Sequence, residues 1–329
     1  MKANSWRILV VLGLLAGSLP AANSAEKKAQ ASDFPNKPIR FIVPFPPGGS
    51  NDVLSRYLGI KLTDRLGQQV VIDNRAGANG IIGTDLASQA PADGYTILIA
   101  STSYVMNAAV RKLPYDVEKS FDPVSFIAQA PNCIVVYPKG GFNTLRDLVE
   151  RAKAKPGSIF YASTGIGGFN HFGGELFKKV AHINMVMVPY KGGGPAMTDV
   201  IAGQIPVMFS SVTQALPHIR NHRLKALVVG AAKRTSALPD VPTVAEAGYP
   251  GYEHYVWWGI VVPHGVPARI QNKLRNELNA ILQEPETKKR LQMDAAEPRT
   301  ISPAEFSKMI HNDVKKWTEV AKTANIHVE

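Results

Sequence analysis

The sequence predicts an α/β fold, with parallel sheets covered by helices on both faces. Three observations point there. Short apolar runs of strand length alternate with longer amphipathic segments of helical spacing, the pattern of βαβ units. Three of those strands end in glycine-rich turns that open a helix. The chain has 329 residues, a length that favours two domains over one.

Ile39 to Val43 reads as a strand. Asp52 to Leu66 reads as a helix, with Val53, Leu54, Tyr57, Leu58 and Leu62 at helical spacing. Val70 to Ile72 and Tyr95 to Ala100 are strands, with a glycine-rich turn and a helix between them. Ile134 to Tyr137 is a strand, and Thr144 to Lys155 is a helix capped by Thr144 or Asn143. Further strands are Ile159 to Ala162, Met185 to Val188, Val207 to Ser210, Leu224 to Val229 and Val256 to Val262. From Pro267 the chain is mostly helical, with a break at Glu284-Pro285. Ser302 as cap, Pro303 at the first helical position and Glu305 behind it restart the helix. No long linker divides the chain, so two lobes must be joined by more than one crossing. Val124 to Pro131 and Arg220 to Lys225 are the expected crossings. The expected layout is a signal peptide at 1–25, lobe 1 at 26–124 with 226–329, and lobe 2 at 125–225.

The start of the chain carries a compartment signal. Lys2 and Arg7 precede an apolar run from Ile8 to about Leu19, and the small residues Ala21, Ala22, Asn23, Ser24 and Ala25 follow. That order is the three-part layout of a secretory signal peptide, with cleavage expected near Ser24 or Ala25. The run falls short of the roughly 20 residues that a membrane-spanning helix needs. Cys133 is the single cysteine, which excludes an internal disulfide. It lies too far along the chain to carry an N-terminal lipid, and the apolar run Asn132 to Val136 marks it as a buried, inert thiol. Removing Lys2 and Arg7 from the formal charge of +11 leaves +9. The basic residues are scattered and no stripe of them alternates with aromatics, which argues against a nucleic-acid partner.

The three glycine-rich strand ends carry the chemistry. The first runs from Ile42 through Phe45, Gly48, Gly49 and Ser50 to Asp52. The second runs from Tyr161 through Ser163, Thr164, Gly165, Gly167 and Gly168 to His171. The third runs from Val188 through Tyr190, Lys191 and Gly192 to Pro195. A helix N-terminus exposes backbone N–H groups without helical partners and carries the positive end of the macrodipole. Glycine lets a ligand approach that backbone closely. Small anions bind at such places without a charged side chain, beyond the carboxyl ends of parallel strands. The turns lack the Gly-Lys-Ser/Thr ending of a P-loop. Gly165 to Asn170 approximates a dinucleotide fingerprint, but Asn170 replaces the third glycine and no well-placed acidic residue follows. A carboxylate suits the hydroxyls of Ser163 and Thr164 and the amides of Gly48 and Gly49. Phe45 is placed to cover its apolar part.

The motif Asn36-Lys37-Pro38-Ile39-Arg40, continued by Pro44-Phe45-Pro46-Pro47-Gly48-Gly49-Ser50-Asn51-Asp52, resembles the opening of the Bug family of periplasmic receptors for tripartite tricarboxylate transporters. Asp73 to Gly80, Ala92 to Thr96, Pro189 to Gly193, Leu238 to Thr243, Glu246 to Gly248 and Trp258-Gly259 continue the resemblance along the mature chain. It implies a type II periplasmic-binding-protein fold, two α/β lobes with a ligand cleft between them, in the periplasm. It implies a mono-, di- or tricarboxylate or aromatic acid as ligand, and permease subunits as membrane partners. By motif position it carries ligand contacts to Phe45, Gly48, Gly49, Ser50 and Asp52, to Ser163, Thr164, Gly165, Gly167 and Gly168, and to Ser101 and Thr102. Tyr190, Lys191 and Gly192 of the third turn and His171, at the start of a helix, complete the expected set. A monomer without cofactor or metal is expected.

Enzyme readings find little support. Gly48 to Asp52 misses the last glycine of a nucleophile elbow. His218 and His222 have the i, i+4 spacing of metal ligands on a helix, but no intervening Glu and no third ligand. Asp52 reads as a lock on its own loop rather than a base. An exported hydrolase therefore ranks behind a receptor, and a receptor that presents its ligand to a sensor kinase is the nearer alternative.

Overall fold

The computed structural model describes residues 34–324 and 326, so the expected signal peptide at 1–25 lies outside the described residues. Strands β1 (Ile39–Val43), β2 (Val70–Asn74) and β3 (Thr96–Ser101) run parallel, with β1 between the other two. β5 (Phe160–Ser163), β6 (Val186–Pro189) and β7 (Val207–Ser211) form a second parallel set, with β5 in the middle. Between them lies β4 (Phe121–Val136), 16 residues long. Its first half pairs with β9 (Tyr255–Pro263) and with the short β10 (Glu297–Pro298), all antiparallel. Its second half pairs antiparallel with β7 and with β8 (Lys225–Gly230). One mixed, 10-stranded sheet results, in the order β2-β1-β3-β9-β4-β7-β5-β6 with β8 and β10 also on β4.

The parallel sheets that the sequence predicts are thus present at both flanks, but the centre is antiparallel. The reason lies in β4 and β9. No single crossover helix joins either to a neighbour in the sheet, and each runs antiparallel to every strand it pairs with. The strand expected at Ile134 to Tyr137 is only the end of β4, because Pro123 and Pro131 break the apolar pattern that would have revealed the rest.

The helices fall where capping and periodicity put them. They are α1 (Ser50–Leu66), α2 (Ile81–Ser88), α3 (Thr102–Val110), α4 (Leu145–Ala154), α5 (Phe169–Ala181), α6 (Gly193–Ile201) and α7 (Val212–Arg220). The tail adds α8 (Ala268–Gln283), α9 (Pro285–Met293) and α10 (Pro303–Thr323). Thr144 caps α4 and Ser302 caps α10, each through a full capping box. His222 lies past the end of α7, so it shares no helix face with His218. No described helix is long and apolar enough to cross a membrane.

Strand alternation explains the core of the second set. Ile134 and Val136 point to one face, under Leu145 and Leu148 of α4 and Phe177 of α5. Cys133 and Val135 point to the other, under Met197 of α6 and Leu216 of α7. The Cys133 thiol is fully buried and burial pushes its pKa up, so it is inert. This layering matters for function because it fixes where the helices begin. β1, β3, β5, β6 and β7 are followed directly by α1, α3, α5, α6 and α7, so five helix N-termini gather at the carboxyl ends of five strands.

Candidate functional site

Those five N-termini meet at one partly open pocket of about 40 Å³. From the first strand set, α1 supplies Gly49, Ser50 and Asn51 to its wall, and α3 supplies Ser101 and Ser103. From the second set, α5 supplies Phe169 and Asn170, α6 supplies Gly193, and α7 supplies Ser211 and Gln214. Phe45, Thr164 and Val256 complete the wall. None of these side chains is ionisable. Four of the five caps, Gly49, Ser101, Gly168 and Gly192, make no side-chain capping bond, so their helices keep first-turn N–H groups for something else. Ser211 alone caps its helix, by accepting from the Gln214 N–H. Each terminus is equivalent to roughly half a positive charge. Two buried acceptors at the wall, Thr164 Oγ1 and Asn51 Oδ1, have no hydrogen-bond partner in the protein.

The first loop is held from behind. The Gly48 N–H donates to Asp52 Oδ2 at 3.0 Å, and the Asn74 amide donates to Asp52 Oδ1 at 2.9 Å and to the Phe45 carbonyl at 3.0 Å. Arg56 adds an ion pair to Asp52 at 2.9 Å. Burial alone would raise the Asp52 pKa, but the bonds from Arg56, Gly48 and Asn74 outweigh it and hold it low. Asp52 is therefore an anchor of the loop whose carboxylate is already engaged by Gly48, Asn74 and Arg56. Gly48 needs its glycine, since φ is 86° there.

The two strand sets touch around the cavity. At Gly194 an added Cβ would lie 2.5 Å from the Pro47 carbonyl oxygen, and at Gly192 it would lie 2.4 Å from Pro46 Cδ, so the first and third loops abut. At Gly168 it would lie 2.5 Å from Thr164 Oγ1 and 2.7 Å from Asn79 Oδ1. Arg111, at the end of α3, donates to the Ile166 carbonyl. The Phe169 N–H donates to Ser103 Oγ at 3.3 Å.

Of the residues singled out by sequence, Phe45, Gly49, Ser50, Ser101 and Thr164 line the cavity. Gly48, Asp52, Gly168 and Gly192 shape it from behind. The others point elsewhere. Thr102 Oγ1 accepts from the Trp257 N–H at 2.8 Å and ties α3 to β9. Ser163 Oγ donates to the Gly165 carbonyl at 3.1 Å. The Gly167 N–H donates to His171 Nδ1 at 3.1 Å, which leaves the ring proton on Nε2, 3.8 Å from Glu175. His171 thus braces the second turn rather than facing the cavity, and burial lowers its pKa. The Tyr190 hydroxyl donates to Asp199 at 2.7 Å, and Lys191 is exposed. Sequence reasoning passed over Asn51, Ser103, Asn170, Gly193, Ser211, Gln214, Phe169 and Val256. Ser211 carried a usable signal, a hydroxyl between a strand end and a helix, without the glycines that marked the other turns.

Comparison with known proteins places this geometry. Residues 54–326 match the family model described as a tripartite tricarboxylate transporter family receptor. Protein BugT of Bordetella pertussis is 34% identical over 322 residues, covering 97% of this chain and 98% of that protein. A solved R. palustris protein with adipate is 33% identical at a TM-score of 0.87, covering 90% of this chain and 99% of that one. MatC from Rhodopseudomonas palustris with bound malate is 26% identical at a TM-score of 0.83, covering 87% of this chain and 99% of that one. The fold is that of these periplasmic binding proteins, two α/β lobes of type II with a cleft between them.

Proposed function

This chain belongs to the tripartite tricarboxylate transporter receptor family, and from that premise we propose that it captures a small organic carboxylate and passes it to the membrane permease subunits of such a transporter. Its family and structural neighbours are solute-binding receptors, not enzymes, and family members are periplasmic binding proteins. For this chain the reading is export by the segment at 1–25, cleavage near Ser24 or Ala25, and action as a monomer. The ligand class is a di- or tricarboxylate or an aromatic acid, in line with the adipate and malate held by two relatives.

One observation carries this reading. Five helix N-termini converge on a buried wall without an ionised side chain. Such a wall offers a carboxylate donors and partial positive charge from several sides, and offers a cation no anionic partner. The pocket of about 40 Å³ is only a few times the roughly 10–15 Å³ that one water needs, so holding an organic acid requires the walls to part. The lobes proposed to part are 26–124 with 226–329, and 125–225. Because Ser125 to Pro131 pair with β9 and β8 pairs with the second half of β4, the crossings are drawn at Pro131-Asn132 and between Gly230 and Tyr255 rather than at 124 and 225.

A thermal-shift screen of mono-, di- and tricarboxylates and aromatic acids tests the proposal. A true ligand at a hundredfold above its Kd should add about 2.7 kcal/mol of stability, with saturable calorimetric binding and no turnover. Amines and neutral sugars that stabilise the protein while every acid fails would overturn it.

A further inference from the structure

We propose that His254 is a positioning residue of the binding site, which fixes Phe169 and the first turn of α5 against the point where the two strand sets meet. The location comes first. Along β4 the partner changes between Pro131, which pairs with Tyr255, and Asn132, which pairs with Ser211 and Gly230. His254 sits opposite that change. Its N–H donates to the Gly230 carbonyl at 2.9 Å, and its own carbonyl accepts from the Asn132 N–H at 2.8 Å. Its backbone is therefore pinned to the end of β8 and to the junction on β4.

The side chain then reaches the site. The imidazole is 1% exposed. Nε2 lies 2.9 Å from the Phe169 carbonyl oxygen. A carbonyl only accepts, so the ring proton is on Nε2. The imidazole also stacks on the Phe169 ring, with centroids 4.2 Å apart and planes 16° from parallel. Trp317 also packs against the imidazole, T-shaped with centroids 5.5 Å apart. Gly173 leaves the space the ring occupies, since a Cβ there would lie 3.0 Å from His254 Cδ2. Phe169 is consequently held at its carbonyl and its ring by His254, and at its N–H by Ser103. Phe169 and Ser103 both line the cavity.

The choice of histidine is informative because it carries a penalty. Nδ1 is buried and has no hydrogen-bond partner in the protein. A bare buried acceptor lowers stability, whereas an apolar ring would fill the same volume without one. What histidine adds over that ring is the Nε2–H donor, directed at the residue that forms the aromatic wall of the cavity.

The test compares His254→Phe, which keeps a stacking ring but loses the donor, with His254→Gln, which restores an amide donor. In the ligand-free protein, amide exchange at residues 170–173 should be at least tenfold faster in H254F and near native in H254Q. Unchanged exchange in H254F, or an equal rise in both variants, overturns the proposal. NMR of the native protein should show a neutral imidazole with its proton on Nε2 and slow exchange; the other tautomer overturns it even if a variant fails to fold. The binding half rests on the receptor reading above. With an acid found by the thermal-shift screen, H254F should bind at least tenfold more weakly, mainly through faster dissociation, and H254Q within about threefold of native. Native affinity in H254F would remove His254 from the site's machinery. A screen with no acid ligand would instead sink the receptor reading, while exchange and NMR still decide the role of His254.

Discussion

Thr164 and Ser163 stand next to each other in the chain and do different things. Thr164 lines the cavity with an unpartnered buried hydroxyl, while Ser163 spends its hydroxyl on the Gly165 carbonyl. Thr164→Val should therefore weaken ligand binding by about 1–3 kcal/mol, and Ser163→Ala by much less. Calorimetry on the two variants checks this, and equal losses would show that the side chains were assigned wrongly. Histidine sets a second expectation at this scale. Burial holds His254 neutral, with its pKa lowered to about 3, and burial also lowers that of His171. The unfolded chain, with histidine pKa values of about 6.5, takes up those protons first. The stability gained is fully present above about pH 6.5 and is lost as pH falls towards 3. The thermal midpoint of H254F should accordingly fall less steeply between pH 6.5 and 4 than that of the native protein. Parallel slopes would mean that His254 is not neutral and buried.

At the scale of elements, the strand-to-helix turns position the site. α1 and α6 begin on turns so close that only hydrogen atoms separate Gly194 from the Pro47 carbonyl. Gly194→Ala would force that backbone apart, because a carbonyl cannot rotate away as a side chain can. Helix propensity itself favours the change by about 1 kcal/mol, so the fold should persist. The expected result is a loss of affinity of tenfold or more with little loss of thermal stability. Normal binding by this variant would show that the two loops need not meet. The sequence marked these turns through glycine, which is visible because few other residues occupy such close approaches. It did not mark α7, whose N-terminus uses Ser211 and Gln214 instead, a pair common at ordinary helix caps.

For the whole molecule, the sheet dictates what can move. β4 spans both strand sets in one piece, and its partner changes at Pro131 and Asn132. A rotation there would part the five helix N-termini without unpairing either flank. Solution scattering should thus show a larger radius of gyration without ligand than with it. An identical radius in the two states would remove lobe closure from the capture mechanism.

The sequence by itself determined the α/β class, the helix starts at Thr144 and Ser302 and the buried state of Cys133, and it marked the glycine turns on which the proposed anion site is built. These follow from local rules of periodicity, capping and glycine freedom, and they act within a few residues of chain. Only the tertiary structure decided that β4 is one long strand, that Ser211 and Gln214 reach the same cavity as Gly49, and that His171 braces a turn. It alone brought His254 against Phe169, 85 residues away in the chain. Those facts depend on which strands pair, and pairing across such distances is set by burial of the whole sheet rather than by any segment's own preference.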